Sequence, residues 1–307
     1  MTAAARSLTA LAAGVAVWGT VVERNLFAVR RATLPVLPAG SPDLRVLHLS
    51  DLHMAPWQRA KQRFVRELGD LEPDLIVNTG DNLGHPLGLL GIRAAFEPFR
   101  GVPGVFVLGS NDYWEPVWKS PFAYFQDPSE MPPTPRRLDT AALTEHLGDL
   151  GWTDLDNRAA RLTVNGVALD LFGVDDPHRE YDRTDELEAP LQGLRAREQR
   201  AALTIGVAHA PYRRILDDFT DRGADVIFAG HTHGGQVCVP GFGALVTNCD
   251  IPRAQVKGVS EWQHDGRTAS LNVSAGLGTS IYAPVRFACR PEVSLLTLTG
   301  SPAYRTA

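Results

Sequence analysis

Five short, largely apolar runs in this chain stop at side chains that commonly bind metal ions. The runs are VLHLS before Asp51 and His53, LIVNTG before Asp81, VFVLG before Ser110 to Asp112, TIGVA before His209, and VIFAG before His231 and His233. Their length and their β-branched residues predict buried strands. In open α/β sheets, ligand and metal sites lie outside the carboxyl ends of the strands, where loops carry side chains that the sheet positions. The pattern therefore predicts five strand ends around one metal site.

Segments with helix-like apolar spacing alternate with these strands, at residues 64–68, 87–99, 143–150 and 215–219. Such alternation predicts a largely parallel sheet with helices outside it. Further strand-like runs predict a second, mixed sheet packed on the first, at residues 162–164, 167–172, 236–239, 271–273 and 293–298. The expected fold is α/β, a four-layer α-β-β-α sandwich of two packed mixed sheets, preceded by an N-terminal apolar helix.

The composition is that of an ordinary globular domain without a basic surplus. At 307 residues and 44% hydrophobic content, the chain can bury a full core. Its formal net charge of -5 argues against general nucleic-acid binding, which needs many cations to contact the phosphate backbone. Cys238, Cys249 and Cys289 have no metal-site spacing, and we expect them to act as small hydrophobic residues.

The N-terminus carries an uncharged, mostly apolar run at residues 7–22. A spanning helix needs about 20 apolar residues, so the run is slightly short for one. We expect residues 1–30 to form an uncleaved membrane anchor, with a cleaved signal peptide or a buried helix as the alternatives. Prolines and glycine in residues 31–43 predict a linker, and the catalytic domain is expected at residues 44–300.

The arginines that flank the apolar run bear on its orientation. Arg24, Arg30 and Arg31 follow the run, whereas only Arg6 precedes it. Under the positive-inside rule, this excess favours a cytoplasmic catalytic domain that is attached to the membrane.

Residues 114–137 form an insertion rich in proline and aromatic residues, directly after the third apolar run. Long loops of this kind are commonly functional. The insertion is expected to form either a lid or apolar wall beside the metal site, or a surface excursion with its own small cluster.

Two pairs of ligand-type residues repeat a two-residue step. Asp51 and His53 emerge on one face if strand geometry continues through Leu52, although an aspartate at a strand end is also a common helix N-cap. His231 and His233 lie in a glycine-rich turn, where two same-face imidazoles have little packing purpose and suit a divalent ion.

Asp81 and His209 each follow one strand. Gly80 removes a side chain that would crowd an ion beside Asp81, so this carboxylate can bridge two ions. Taken alone, His209 would more often be a buried core histidine. As the fourth histidine of the set, it is a predicted ligand.

These motifs, with Gly80-Asp81-Asn82, the Gly109 turn and Gly230-His231-Thr232-His233, resemble the binuclear metallophosphoesterases, also called calcineurin-like phosphoesterases. Gly173 to Asp176, Phe287 and Arg290 to Glu292 resemble the family's bacterial membrane-anchored branch, some members of which cleave nucleotide-sugar lipids. The resemblance implies two divalent ions. It implies that Asp51, His53 and His233 hold one, that His209 and His231 hold the other, and that Asp81 bridges them. Imidazole and carboxylate suit manganese, iron and zinc alike.

The third motif departs from the family pattern Gly-Asn-His-Asp or Glu, since this chain has Gly109-Ser110-Asn111-Asp112. An ungapped match puts Ser110 in the ligand position, whereas a one-residue shift keeps Asn111 as the ligand and puts Asp112 in the acid position. An amide carbonyl is a better oxygen donor than a neutral hydroxyl, which favours Asn111 as the metal ligand and Asp112 as the catalytic residue. The family's histidine is absent in either register.

The sequence therefore predicts a membrane-anchored, metal-dependent phosphoester hydrolase. Its expected substrate is a small phosphorylated molecule, with a nucleotide, a pyrophosphate and a lipid-linked, hence amphiphilic, compound as the candidates. The altered third motif keeps a second hypothesis open, namely a catalytically weak scaffold with this fold. A metal hydrolase that acts on carbon is a third hypothesis.

Overall fold

The computed structural model describes residues 3–117 and 136–300, and two six-stranded sheets dominate it. In spatial order, the first sheet consists of β1 (Ala28–Leu37), β14 (Glu292–Gly300), β2 (Leu44–Leu49), β3 (Leu75–Asn78), β4 (Gly104–Phe106) and β5 (Trp152–Asp154). The second consists of β12 (Gly258–His264), β13 (Arg267–Val273), β9 (Val226–Ala229), β8 (Leu203–Val207), β7 (Val167–Gly173) and β6 (Arg158–Val164). β10 (Cys238–Val239) and β11 (Gly243–Ala244) form a separate short pair.

Both large sheets are mixed, as expected. Strands β2 to β5 run parallel in the first sheet, and β7, β8, β9 and β13 run parallel in the second. Antiparallel pairing occurs between β14 and β2, between β6 and β7, and between β12 and β13. The helices are α1 (Ala3–Val17), α2 (Arg59–Glu67), α3 (Gly88–Phe96), α4 (Ser110–Tyr113), α5 (Thr140–Asp149), α6 (Glu188–Arg195) and α7 (Arg213–Asp221).

The alternation of side chains along the strands produces the four layers. In β2, Val46 packs in the cluster between the two sheets, while Leu47 packs in the cluster beneath the helices of the first sheet. In β9, Phe228 and Ile227 divide in the same way between the central cluster and the cluster beneath α7. Since successive side chains of a strand point to opposite faces, each sheet is buried on both sides. The predicted α-β-β-α sandwich is confirmed.

The segment predicted as a linker instead contributes a strand over residues 31–37. These residues lie in β1, which pairs in parallel with β14 until a register shift between Leu34 and Leu37. Pro35 had indicated a linker because proline donates no ladder hydrogen bond. Because β1 is an edge strand and Pro35 sits at the register shift, the missing N–H is tolerated there.

The N-terminal helix α1 covers part of the predicted anchor. It has 15 residues, and its side chains from Ser7 to Val17 are exposed. Within residues 3–117 and 136–300, no helix has both the length and the apolarity that a membrane crossing requires. The membrane anchor and its orientation remain predictions from the sequence.

The aromatic insertion lies mostly outside the described residues, which omit 118–135. Its two ends are described and come together, because Trp114 pairs with Arg137 in an antiparallel bridge. The Arg137 guanidinium also lies 5.0 Å from the centre of the Trp114 ring. The role of the insertion stays a prediction.

Candidate metal centre

The predicted ligands meet where the carboxyl ends of β2, β3, β8 and β9 face each other. Two overlapping groups have potential ligand atoms within 4.8 Å of one another, and these groups are Asp51 with His53 and His233, and Asp51 with Asp81 and His209. One atom, Asp81 Oδ2, connects the two groups. It lies 3.5 Å from His53 Nε2 and 3.6 Å from His209 Nε2. Residues separated by up to 182 positions in the chain thus meet at one buried site (233 minus 51).

Five of the predicted ligands have a left-handed backbone. Their φ angles are 49° at Asp51, 41° at His53, 53° at Asp81, 67° at His231 and 50° at His233. This conformation is uncommon in residues other than glycine, and costs on the order of 1–3 kcal/mol per residue. All five residues lie in the loops that directly follow β2, β3 and β9. Such strain persists only where the surrounding structure enforces it, as at functional sites.

Close backbone approach explains two glycines at the centre. A Cβ on Gly109 would lie 2.7 Å from His209 Nδ1 and would also collide with Asp81 Oδ1. A Cβ on Gly276 would lie 2.5 Å from the Cβ of Asp51. Both positions therefore require glycine for the ligand side chains to occupy their places.

His209 presents an unpaired nitrogen to the carboxylates. Its Nδ1 lies 2.7 Å from the carbonyl oxygen of Thr79, which can only accept a hydrogen bond, so the neutral ring carries its proton on Nδ1. Its Nε2 is buried and has no hydrogen-bond partner. Burial lowers the pKa of His209, but Asp81, Asp51 and Asp176 outweigh it and raise that pKa to about 9. The same negative potential would stabilise a bound cation.

His53 and His233 face each other beside the two carboxylates. Their Nε2 atoms are 3.2 Å apart, and His233 Nε2 lies 3.6 Å from Asp51 Oδ1. Burial lowers the pKa of His53 to about 4 and lowers that of His233 as well, so both rings are neutral. Burial also raises the pKa of Asp51 to about 6, an effect to which Asp81 adds. Neutral imidazoles and carboxylates in this arrangement fit borderline divalent ions.

His231 lies beside these groups without joining either of them. Its ring centre is 5.1 Å from that of His209, and its Nε2 lies 3.1 Å from the carbonyl oxygen of Asn248. Its backbone N–H donates to Asp51 Oδ2 at 3.0 Å. The structure therefore places His231 next to the second group, with Asn248 as a neighbour that no sequence motif indicates.

The third motif places its three polar residues in different surroundings. Asn111 contacts the connecting carboxylate, since its backbone N donates to Asp81 Oδ1 at 2.7 Å and its Nδ2 to Asp81 Oδ2 at 2.8 Å. The Ser110 hydroxyl instead donates to Asp176 Oδ2. Of the two alternatives for the ligand position, the side chain of Asn111 is therefore the one that contacts the connecting carboxylate.

Asp112 is fully buried behind the centre. Its Oδ1 accepts from the backbone N–H groups of Asn82 and Leu83 at 2.7 and 3.2 Å, and its Oδ2 accepts from that of Gly109 at 3.1 Å. Burial and the nearby charge of Asp81 raise its pKa to about 7. Both oxygens thus accept hydrogen bonds from the turns that carry Asp81 and Asn111, and the catalytic role of Asp112 stays a prediction from the sequence.

Arg286 was not identified from the sequence, and it holds the loops around His233 and Gly276 by hydrogen bonds. It is fully buried and donates to the carbonyl oxygens of His233 at 2.9 Å, Ala275 at 2.8 Å and Gly278 at 2.6 Å. An arginine in a loop is usually solvent-exposed, so no sequence signal distinguished this one.

A chain of buried hydrogen bonds also reaches Asp51. Ser50 donates to Asp51 Oδ2 at 2.5 Å, and Thr79 donates to Ser50 at 2.6 Å. His48 Nε2 lies 2.9 Å from Thr79 Oγ1, and His48 Nδ1 lies 2.8 Å from Asn272 Nδ2. The contact between His48 and Asn272 joins the two sheets. This series of hydrogen bonds fixes the orientation of Asp51, a predicted ligand, as hydrogen bonds beyond the ligand shell commonly do.

The sequence profile of the calcineurin-like phosphoesterases matches residues 44–235. The chain belongs to the calcineurin-like phosphoesterase family. The match begins at the first residue of β2 and ends two residues after His233, so it includes every residue of the two ligand groups. The resemblance noted in the sequence is confirmed, and the protein is a metallophosphoesterase.

Several relatives of this phosphoesterase align over most of its length. The uncharacterized protein YpbG of Bacillus subtilis is 27% identical, over 85% of this chain and 83% of its own. The transmembrane protein with metallophosphoesterase domain of Bos taurus is 28% identical, over 90% of this chain and 58% of its own. The UDP-2,3-diacylglucosamine pyrophosphatase LpxG of Chlamydia trachomatis is 25% identical, over 91% of this chain and 92% of its own.

Proposed function

We propose that this phosphoesterase holds two divalent ions at the described centre and hydrolyses phosphoesters or pyrophosphates there. The observation that carries the proposal is the position of Asp81 Oδ2 between His53 Nε2 at 3.5 Å and His209 Nε2 at 3.6 Å. A carboxylate between two imidazole-containing groups is the arrangement that a bridging ligand needs. Bound ions would supply an activated water and offset the charge that develops on the phosphoryl oxygens.

In this proposal, each side chain has a separate task. Asp51, His53 and His233 would hold one ion, His209 and His231 would hold the other, and Asp81 would contribute to both. The chain from His48 to Ser50 orients Asp51, and Arg286 holds the His233 turn. Manganese, iron and zinc all suit these ligands.

The first prediction concerns activity and the leaving group. Purified protein supplied with manganese should hydrolyse bis(p-nitrophenyl) phosphate, and removal of metal by a chelator should stop the reaction. No histidine stands in the third motif to protonate the leaving oxygen, and such general-acid help is typically worth about 10²- to 10⁴-fold. We therefore expect rates to fall steeply as the leaving group becomes more basic, from nitrophenyl to phenyl to alkyl esters.

A rate that is independent of leaving-group basicity would show that another residue donates the proton. Tight metal binding without turnover of any phosphoester would instead favour the scaffold hypothesis. Hydrolysis of carboxylic esters in place of phosphoesters would favour a hydrolase that acts on carbon.

The second prediction separates the two residues that compete for the third-motif ligand position. Asn111→Ala should lower kcat by about a hundredfold, because its amide contacts the connecting carboxylate inside the centre. Ser110→Ala should lower kcat less than about tenfold, since its hydroxyl bonds to Asp176 and not to the connecting carboxylate. Steady-state kinetics with one aryl diester measures both. The opposite order of effects would assign the ligand role to Ser110.

We further propose an amphiphilic phosphorylated substrate and association with a membrane. LpxG, which is named as a pyrophosphatase for a diacylated sugar nucleotide, aligns over 91% of this chain. Helix α1 also exposes large apolar side chains, including Leu8 and Leu11 at 67% and 65% exposure. A comparison of rates on short-chain and long-chain lipid pyrophosphates tests this. Equal rates on both would argue against recognition of the lipid part.

A further inference from the structure

A cavity of about 470 Å³ lies between the end of the N-terminal helical segment, the start of α2 and residues 277–284. Three cationic side chains, Arg24, Arg59 and Lys61, line it, and none of the described residues in its wall is acidic. Trp57 and Ile281 contribute apolar wall. A cavity of this size accommodates a small ligand or a headgroup.

The charge in this cavity is uncompensated by the protein. Lys61 is only 5% exposed, and its Nζ donates to two neutral oxygens, Leu52 O at 2.6 Å and Gln58 Oε1 at 3.1 Å. Arg24 Nε is buried without a hydrogen-bond partner. Within residues 3–117 and 136–300, no salt bridge involves Arg24, Arg59 or Lys61. Burial, together with the charges of Arg286 and Arg24, lowers the pKa of Lys61 to about 7. Because a buried ammonium group is normally paired, an anion bound beside Lys61 would stabilise its charged form.

The neighbouring carboxylate, that of Glu23, forms its hydrogen bonds away from the three cationic side chains. Glu23 precedes Arg24 but accepts hydrogen bonds from Trp18 Nε1 at 2.7 Å and from the backbone N–H groups of Ala288 and Cys289 at 3.0 and 2.7 Å. Its two oxygens are therefore committed to the loop that contains Cys289. No described carboxylate therefore forms a salt bridge with Arg24, Arg59 or Lys61.

Several large apolar side chains near Arg24 in the chain, and one in the cavity wall, are exposed. Val15, Trp18 and Val21, just before Arg24 in the chain, are 43%, 46% and 59% exposed, and Trp57 in the cavity wall is 60% exposed. An anion that carries an apolar tail would place its charge among the three cations and its tail along this surface. The cavity is separate from the metal centre, because no residue of the two ligand groups lines it.

We propose that this cavity is a second anion site, which binds a phosphate group carried by an amphiphile or present as free phosphate. Lysine and arginine donate several charge-assisted hydrogen bonds to phosphate oxygens, and the absence of acidic wall residues among those described leaves these donors unopposed. Lys61 also contacts the carbonyl of Leu52, between Asp51 and His53, so a ligand here would lie directly behind the first ligand loop. The proposal goes beyond the hydrolytic function and does not depend on it.

Isothermal titration calorimetry on the full-length, manganese-loaded protein tests the proposal with three probes. The probes are dihexanoyl phosphatidic acid, dihexanoyl phosphatidylcholine and inorganic phosphate. Arg24→Gln/Arg59→Gln should weaken binding of phosphatidic acid about tenfold or more, since it removes two charged donors. Arg63→Gln/Arg66→Gln is the matched control, because it removes two exposed charges from α2 that do not line the cavity. It should change affinity less than about twofold.

Two comparisons identify the source of the phosphate group. Much tighter binding of phosphatidic acid than of inorganic phosphate would assign an amphiphile, and equal affinities would assign free phosphate. Equal losses in both double variants, or no loss in Arg24→Gln/Arg59→Gln, would overturn the site. Binding of phosphatidylcholine as tight as that of phosphatidic acid would also overturn it. Thermal unfolding verifies that each variant is folded.

Hydrolysis of the aryl diester keeps this test separate from the proposed function. If the enzyme is active, both double variants should retain the wild-type kcat on this substrate, since neither alters the metal centre. If no hydrolysis is found for any variant, the function fails while the calorimetric comparison still decides the anion site.

Discussion

Replacing Asp81 with alanine is expected to lower phosphodiester hydrolysis by about a thousandfold or more. That loss corresponds to on the order of 4 kcal/mol in the activation barrier, which is within the several kcal/mol that metal-ion catalysis supplies. The physical reason is that Asp81 Oδ2 lies within 3.6 Å of both His53 Nε2 and His209 Nε2. Without it, two cations would also face each other with no bridging charge. Asp81→Asn keeps the shape of the side chain and should show a similar loss, because the charge is what matters.

Steady-state kinetics and elemental analysis together measure this effect. The amount of bound metal per chain should fall in both Asp81 variants. The control is Asp149→Asn, which changes an exposed carboxylate and should leave the metal content and the rate near those of the parent. Retention of the parental rate in Asp81→Ala would remove the proposed mechanism. Loss of rate with full metal content would show that Asp81 acts on the substrate and not as a bridge.

Arg286→Met should lower the free energy of unfolding by about 3–5 kcal/mol. Arg286 is fully buried and donates to the carbonyl oxygens of His233, Ala275 and Gly278 at 2.6 to 2.9 Å. Methionine fills much of the same volume but donates nothing, so each of these three buried carbonyls loses a partner, at the lower end of the about 1–3 kcal/mol that an unsatisfied buried group costs. The loop that carries His233 should then loosen, and metal affinity should fall with stability.

Urea unfolding of the metal-free protein measures the stability change. Arg290→Met is the matched control, because Arg290 is exposed and donates to the carbonyls of Leu26 and Phe27 at the surface. The control should cost less than about 1 kcal/mol. If the two variants unfold at the same urea concentration, Arg286 does not hold this part of the fold together.

The order and type of the main elements could be predicted because burial leaves a periodic record in the sequence. Val46 and Leu47 face opposite layers, and such runs are apolar throughout since parallel strands are covered on both sides. The prediction of a linker at residues 31–37 was wrong, because a local signal did not reflect the position of the segment in the sheet. Pro35 indicates a linker, but an edge strand with a register shift tolerates proline, and nothing local reveals that β1 lies at an edge.

For the candidate site, the sequence indicated the residues but not all of their arrangement. Asp51, Asp81, His209 and His233 are recognisable because each follows a strand and belongs to a known motif. Whether Ser110 or Asn111 contacts the connecting carboxylate remained open, since the two registers differ by one residue. The structure distinguishes them by direct contact, with Asn111 on Asp81.

The sequence by itself determined the family, the layered α/β fold and the set of ligand-type side chains, because apolar periodicity and short motifs are local properties of the chain. Only the tertiary structure decided which distant groups meet. Three features join residues that no local sequence pattern relates. They are the buried contact of Arg286 with the His233 carbonyl, the hydrogen-bond network from His48 to Asp51, and the cationic cavity beside α2. Their energies arise from desolvation and contact geometry, which exist only after the chain has folded.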